Sequence, residues 1–275
     1  MDIRQLHDPA EFAAAATPLL MRDEAENCFW LGLISTPDQL AKNMMCVVRD
    51  DRGACVAVAT MTAGHQMVVT RAAAEIVTAL ARWLQERKVE LPGIGGVRET
   101  AETFAREWVR LTGATTHVHV ATAVHRLTRV IPPPRPAPGG MRVADMRDFD
   151  LVGQWITNFH TEIGAVHVPD GREVAGRRVP MGSVFLWEDA GEPVAMAGIA
   201  GPTPNGIRVN LVYTLPAHRG RGYASSLVAQ LSHRLLDGGR KFCFLFTDLA
   251  NPTSNKIYRQ IGYEPLGECV HIMFD

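Results

Sequence analysis

The sequence lacks any excess of charge of one sign. It holds 28 Lys and Arg against 29 Asp and Glu, a formal net charge of −1 over 275 residues. The balance persists within each half: 14 basic and 15 acidic side chains in residues 1–131, and 14 of each in 132–275. Neither half has the basic surplus on which binding to a nucleic-acid backbone depends. Long apolar runs are also missing. None approaches the ~18 residues that mark a membrane span, and residues 12–21 follow three acidic side chains without a basic start, which argues against a signal peptide. Cysteine is scarce and odd in number, at positions 28, 46, 55, 243 and 269, with no Cys-x-x-Cys pair. That spacing excludes a disulfide framework and a structural zinc site and points to a reducing cytoplasm. The ten histidines form neither His-x-x-x-His nor His-Glu-x-x-His, and His117, His119 and His125 read as side chains of a strand. No metal, nucleic-acid or membrane partner is therefore expected. The phosphate-loop signature Gly-Lys-Ser/Thr is absent too.

What the chain does have is one stretch that joins three signals. Residues 207–214 are apolar and β-branched, as a strand requires, and Pro216 ends it because proline cannot donate to a ladder. Arg219, Gly220, Arg221 and Gly222 follow. Then Ala224, Leu227, Val228, Leu231, Leu235 and Leu236 recur at helical spacing. A glycine turn opening directly into a helix presents unpaired N–H groups at the positive end of the helix dipole, which is an anion site with phosphate as its usual occupant.

Taken in order, the rest of the chain alternates strands and helices. Residues 2–6 read as a strand. Asp8 and Pro9 start a helix that Pro18 is expected to break. Residues 44–49 and 55–61 form a hairpin, 66–70 a strand, 72–87 a helix, 91–97 a glycine-interrupted strand and 99–112 a helix. Two strands, 115–120 and 122–130, close this half. Residues 131–140 then hold five prolines and two glycines; such a segment is stiff, extended and expected to stay out of any core. It divides the chain into a domain of residues 1–131, a linker of 132–140 and a domain of 141–275. The second domain repeats the element order: a strand at 141–144, helices over 148–160 and 172–178, a hairpin of 184–187 and 193–199, the central strand and long helix, a fully covered strand at 241–247, a helix from Asn251 to Ile261, and strands at 263–266 and 269–274. The fold class is α/β, with a mixed sheet flanked by helices in each of two tandem domains.

Two residues strengthen the anion turn. Asn255 and Tyr258 lie three apart on one helix, and so share a face. Their helix follows the strand expected beside 207–214, and ligands in open α/β sheets sit at the carboxyl ends of such strands. Gly220-Arg-Gly222-Tyr-Ala-Ser225 also approaches a dinucleotide fingerprint, but no acidic residue ends the next strand at the usual distance and only 27 residues follow Asp248.

At these residues the C-terminal half, roughly 141–275, resembles the GNAT family of acyl-CoA-dependent N-acyltransferases. The family's Arg/Gln-x-x-Gly-x-Gly/Ala motif is matched by Arg219-Gly-Arg-Gly222-Tyr-Ala224, and its later asparagine-then-tyrosine motif by Asn251, Tyr258 and Gly262-Tyr263. The resemblance implies that backbone groups of Val212, Tyr213 and Thr214 hold the pantetheine arm and thioester carbonyl. It implies that Arg219, Gly220, Arg221, Gly222, Tyr223, Ala224 and Ser225 hold the pyrophosphate, that Asn251 and Asn255 contact the cofactor, and that Tyr258 protonates the departing thiolate. Acetyl-CoA is the implied cosubstrate and a small-molecule or peptide amine the implied acceptor. A non-catalytic acyl-CoA-binding regulatory module is the alternative. The general base is open among Asp248, His160, Glu162 and His167. Where the first domain should carry the turn it reads Met67-Val-Val-Thr-Arg-Ala-Ala-Ala74, without glycine. It is therefore expected to be a degenerate GNAT-like repeat that covers the catalytic half.

Overall fold

A computed structural model describes residues 1–165 and 168–275. From the N-terminus the elements are β1 (Asp2–Leu6), α1 (Pro9–Leu20), α2 (Cys28–Ile34), α3 (Pro37–Leu40), β2 (Asn43–Arg49), β3 (Cys55–Thr62), β4 (Met67–Val69), α4 (Ala74–Glu86), β5 (Gly93–Val97), α5 (Arg98–Thr112) and β6 (Thr116–Leu127). After the proline segment come β7 (Gly140–Val143), α6 (Phe149–Glu162), α7 (Gly171–Arg178), β8 (Val184–Asp189), β9 (Glu192–Ala200), β10 (Gly206–Thr214), α8 (Tyr223–Asp237), β11 (Phe242–Asp248), α9 (Pro252–Gln260) and β12 (Glu264–Phe274). Among the described residues no helix is long and apolar enough to cross a membrane.

Two details depart from the sequence reading. Pro18 does not break α1, which runs through it to Leu20. The proline sits in the last turn, where losing its N–H removes only one helical bond. The paired short strands expected at 115–130 and 263–274 are in each case one continuous strand, β6 and β12.

The chain divides into two compact units that do not follow the linear order of the sequence. The first comprises Met1–Val124, Phe246–Pro252 and Pro265–Asp275, and the second His125–Leu245 and Thr253–Glu264. In the first, β1, β2, β3 and β4 are successively antiparallel, β4 pairs in parallel with β5, and β12 adds antiparallel to the other edge of β5. In the second, β7, β8, β9 and β10 are successively antiparallel and β10 pairs in parallel with β11. Each unit thus uses an antiparallel meander, a crossover helix (α4 or α8) and a parallel strand. The sequence-based division at 132–140 assigned the last strand to the C-terminal domain, whereas it completes the sheet of the first unit.

The glycines of β5 explain how that strand takes a partner on both sides. A Cβ on Gly93 would stand 2.5 Å from the Ile272 carbonyl oxygen of β12. Above this sheet α4 and α5 lay Leu80, Leu84, Phe104 and Trp108 against Met67, Ile94, Val270 and Ile272, all buried. A second cluster of the same unit gathers Phe12, Leu20, Trp30 and Leu40 under α1, α2 and α3.

The second unit buries Leu227, Val228 and Leu231 of α8 against Val194, Ala195, Val209, Cys243 and Leu245 on one face of its sheet. On the other face Val152, Trp155 and Ile156 of α6 and Ala175 of α7 meet Leu186, Met196, Leu211 and Tyr213. The proline segment is docked here instead of standing clear as a spacer. The Ile131 N–H donates to the Ile261 carbonyl (2.9 Å), the Ala137 N–H to Ser226 Oγ (2.8 Å) and Trp187 Nε1 to the Pro138 carbonyl (2.7 Å). Val130 and Ala137 are half-buried against the α8 core. An extended chain with few donors of its own can still accept from a tryptophan and cover apolar surface.

One ion-pair cluster fixes the start of this unit. Arg142 of β7 holds Asp148 through two nitrogens and Glu188 of β8 through a third. Asp148 is buried, and the Arg142 guanidinium holds its carboxyl below the usual range.

Two measurements probe these arrangements. Gly93→Val is expected to cost about 2–3 kcal/mol in denaturant unfolding, because the new side chain meets the backbone of β12. Arg142→Met is expected to cost about 3 kcal/mol, since it strands a buried carboxylate. The wild-type contribution of Asp148 is present above the unfolded carboxyl value of about 3.9 and is lost as pH falls through its lower native value. The variant's stability should therefore fall less steeply than wild type below about pH 4, as urea titrations across that range would read.

Candidate functional site

The site begins with a break in register. Along β10, Asn210 faces Gly198 and Tyr213 faces Met196 of β9, so Leu211 and Val212 together oppose Ala197. This is a β-bulge, and Leu211 takes the left-handed conformation, with φ of 50°. A branched-chain residue there is an uncommon and costly choice that surrounding structure must enforce. Burial of the Leu211 side chain in the α6 core supplies that enforcement. On the other edge, the ladder of β10 with β11 covers only Gly206 to Arg208. Backbone groups of Val212, Tyr213 and Thr214 on that edge have no strand partner among the described residues.

Past Thr214 the chain turns through Pro216–His218 to Arg219, Gly220, Arg221 and Gly222, and α8 begins. Gly220 and Gly222 adopt φ of 76° and 84°, a region that favours glycine, and Gly222 caps α8 from that conformation. Ser226 N–H makes the first helical bond, to the Gly222 carbonyl at 3.0 Å. The six preceding amides, from Gly220 through Ser225, have no hydrogen-bond acceptor among the described residues. Six free donors at the positive end of a 15-residue helix form a strong anion cradle.

The two arginines of the turn behave differently. Arg219 turns back: its Nε donates to the Thr214 carbonyl (3.0 Å), its Nη2 to both oxygens of Glu162 (2.8 and 2.7 Å), and its guanidinium lies 5.8 Å from the Tyr213 ring centre. It braces the turn against β10 and the end of α6. Arg221 is exposed, with a long contact to the Ala217 carbonyl (3.4 Å) and its charge beside the Tyr223 hydroxyl at the surface of the cradle. Tyr223 is buried and its hydroxyl donates to Asp189. Ala224 is half-buried and Ser225 buried in the first turn. The linker, unmarked in the sequence as part of any site, reaches this turn: the Arg135 carbonyl lies 3.2 Å from where a Gly222 Cβ would stand.

Tyr258 is buried on α9 with 8% of its surface exposed, its ring edge-on to Tyr263 with centres 5.9 Å apart. Burial pushes its phenol pKa up, so it is a protonated donor at neutral pH. Its hydroxyl has no hydrogen-bond partner among the described residues. Asn255 lies on the same helix, half-buried. Asn251 falls in the first unit, where its N–H donates to the Asp248 carbonyl (3.1 Å). Asp248 belongs to that unit as well, and its side chain accepts from the Ala250 N–H (2.8 Å).

Among the other bases considered, Glu162 is committed to Arg219. His160 of α6 is 2.7 Å from the Ile156 carbonyl through Nδ1. A carbonyl only accepts, so Nδ1 carries the proton and Nε2 keeps its lone pair. His167 lies outside the described residues. No group of three or more His, Cys, Asp or Glu able to hold a metal occurs among the described residues. The bulge at Leu211 left no mark in the sequence, since leucine fits an ordinary strand; the bracing role of Arg219 was hidden because its partner Glu162 is 57 residues away.

Residues 152–263 match the family model of the Acetyltransferase (GNAT) family. No curated protein matches the chain in sequence. Solved structures similar over nearly the whole chain include an acetyltransferase of the GNAT family from Colwellia psychrerythraea, at 12% identity and a TM-score of 0.63, covering all of both chains. A GCN5-related N-acetyltransferase from Sphaerobacter thermophilus superposes with a TM-score of 0.64 at 17% identity, over 99% of this chain and 95% of that one. A tandem GNAT protein from the clavulanic acid biosynthesis pathway gives 0.60 at 14%, over 99% and 98%. At such identities these likenesses speak for the fold. The chain thus shares the fold of tandem GNAT proteins, and its residues 152–263 match the acetyltransferase (GNAT) family model.

Proposed function

We propose that the second unit transfers an acetyl group from acetyl-CoA to the primary amine of an acceptor by direct attack on the thioester. The observation that carries this reading is the run of six unbonded amides from Gly220 to Ser225 at the head of α8, directly after the bulged strand. The cradle suits a pyrophosphate, with Arg221 adding charge at its rim. The unpartnered edge of β10 suits an amide-rich pantetheine arm, which pairs with backbone as a strand does.

In the proposed reaction the amine nitrogen attacks the thioester carbonyl carbon. Negative charge that builds on the carbonyl oxygen is met by the Val212 N–H, a fixed donor that needs no reorganisation. As the carbon–sulfur bond breaks, the thiolate takes the proton of Tyr258. A free thiol has a reference pKa of about 8.5 and a phenol about 10, and burial raises the phenol further. The transfer is accordingly uphill until sulfur has gained substantial charge, which confines it to the late part of bond cleavage. His160 serves as base through Nε2, its tautomer set by the Ile156 carbonyl. It is the candidate with a free lone pair in the same unit as the turn. Much of the acceleration would come from holding amine and thioester in register.

The first unit has no equivalent cradle. Helix α4 follows its N-cap Ala73 without a glycine or a side-chain cap, Glu75 sits in its first turn, and Arg71 is paired with Glu26. An acid there opposes a phosphate. One acyl-CoA site per chain is the reading that follows, with a reducing cytoplasm as the compartment.

Acyl-CoA binding without transfer is the competing reading, and one observation favours it: Tyr258 is packed in the core, a place where a tyrosine needs no chemical role. Thiol release from acetyl-CoA with a panel of amines separates the two. Tyr258→Phe is expected to lower kcat by about 10²–10³ while acetyl-CoA affinity holds; binding without turnover for every amine would leave the binding module. His160→Gln should lower kcat by about 10²-fold. Gly222→Val forces a branched side chain into a left-handed φ beside the Arg135 carbonyl, and acetyl-CoA affinity should drop about tenfold or more in calorimetry.

A further inference from the structure

The second unit holds a half-buried cation, Arg178, that no acid among the described residues pairs with. Arg178, the last residue of α7, is half-buried, and its Nη2 donates to the Ile199 carbonyl (2.6 Å) and to Asn210 Oδ1 (3.0 Å). Gly198 makes room for it: a Cβ there would lie 3.0 Å from Nη2 and 3.4 Å from the guanidinium carbon. No carboxylate among the described residues forms an ion pair with Arg178, whereas Arg142, Arg177 and Arg219 of the same unit each hold one. The charge acting on it is a like one, that of Arg208, two residues before Asn210 and so on the same face of β10. Burial first, and Arg208 second, bring its pKa down to about 10. It remains charged at neutral pH, but at a cost.

A purely structural role does not account for this. Two accepting oxygens on one nitrogen can be served by a neutral amide, and a buried cation without a counter-ion is a net expense. Arginine is the side chain suited to bidentate capture of a carboxylate, and its Nε and Nη1 carry no hydrogen bond to a described residue. Its place matters as well. Asn210 stands immediately before the bulge, and Val212, which receives the acyl carbonyl in the reading above, is two residues further, roughly 7 Å along the strand.

We propose that Arg178, with Arg208 beside it, binds a carboxylate on the acceptor, so that the amine acetylated belongs to an amino acid or a similarly short amino-carboxylate compound. This assignment rests on the acetyl-transfer reading of the same site and narrows its substrate class. Asn210 orients the guanidinium toward the bulge, and the acceptor's negative charge supplies the missing counter-ion. The carboxylate then fixes one end of the acceptor and the thioester the other, so spacer length becomes the property selected.

The test uses the whole chain with acetyl-CoA and matched probes: L-α-amino acids with their amides, and glycine, β-alanine, 4-aminobutyrate and 5-aminovalerate with theirs. Turnover is read by thiol release and binding by calorimetry with CoA present. At least one acid should exceed its amide by about 30-fold or more in kcat/KM, with a maximum along the spacer series. Arg178→Met should bring that acid down to the level of its amide, chiefly through KM. Asn210→Asp keeps the arginine and gives it an internal carboxylate. It should lose the preference equally while Tm is maintained or raised, which separates loss of recognition from loss of fold. Equal use and equal binding of acids and amides by the wild type, or a preference that survives both substitutions, overturns the assignment. Acids that bind in an Arg178-dependent way without any turnover would uphold the carboxylate site and remove the acetyl-transfer reading. Amides turned over as well as acids would do the reverse.

Discussion

The second unit depends on the two-for-one register of β10 at Leu211 and Val212. A strand in regular register would pass its backbone groups from one neighbour to the next and leave none for a ligand. The extra residue rotates the strand, so that Asn210 and Arg208 face α7, Leu211 and Tyr213 fill the α6 core, and the Val212–Thr214 backbone is left with an open edge. A leucine at φ of 50° is held there by its own burial. Loss of that packing would let the strand relax to regular pairing and close the edge. The glycine turn, His160 on α6 and the half-buried Arg178 are all positioned from elements that pack on or continue this strand.

Around the bulge, charge is handled in two ways. Arg219 and Arg142 are spent on architecture, each satisfied by carboxylates, one tying the turn to α6 and the other tying β7 to β8. Positive potential for a ligand comes instead from backbone amides at the head of α8, from the exposed Arg221 and from the uncompensated Arg178. The amides carry no desolvation penalty beyond their own and cannot be swung away. A site built on them keeps its geometry when side chains around it change.

The glycine turn between β10 and α8 was legible in the sequence because its signals are local: two glycines, a strand before and an amphipathic helix after. The order of elements was legible for the same reason, through periodicity and capping residues such as Asp8. What escaped was non-local. The link between Arg219 and Glu162 spans 57 residues, and the berth of Arg178 over Gly198 needs β9 and α7 together. The proline segment was read as a free spacer because composition predicts an extended chain correctly but says nothing about what it lies on. Here it lies on α8 and the end of α9. Pro18 inside α1 shows the opposite error: a breaker by propensity is harmless in a final turn whose apolar face is buried.

The pairing of β12 with the glycine strand β5 has a consequence in time. The strand that finishes the sheet of the first unit is synthesised about 170 residues after its partner. While the ribosome makes everything between them, β5 has one open edge and its core lacks Val270 and Ile272. The unit whose strands are made earlier is therefore the one that must wait. The second unit, which needs only the far end of β6 from the early sequence, can close sooner. Vectorial synthesis here runs against the order of completion, and an exposed glycine-rich edge is what the nascent chain has to protect until the eleven residues of β12 emerge.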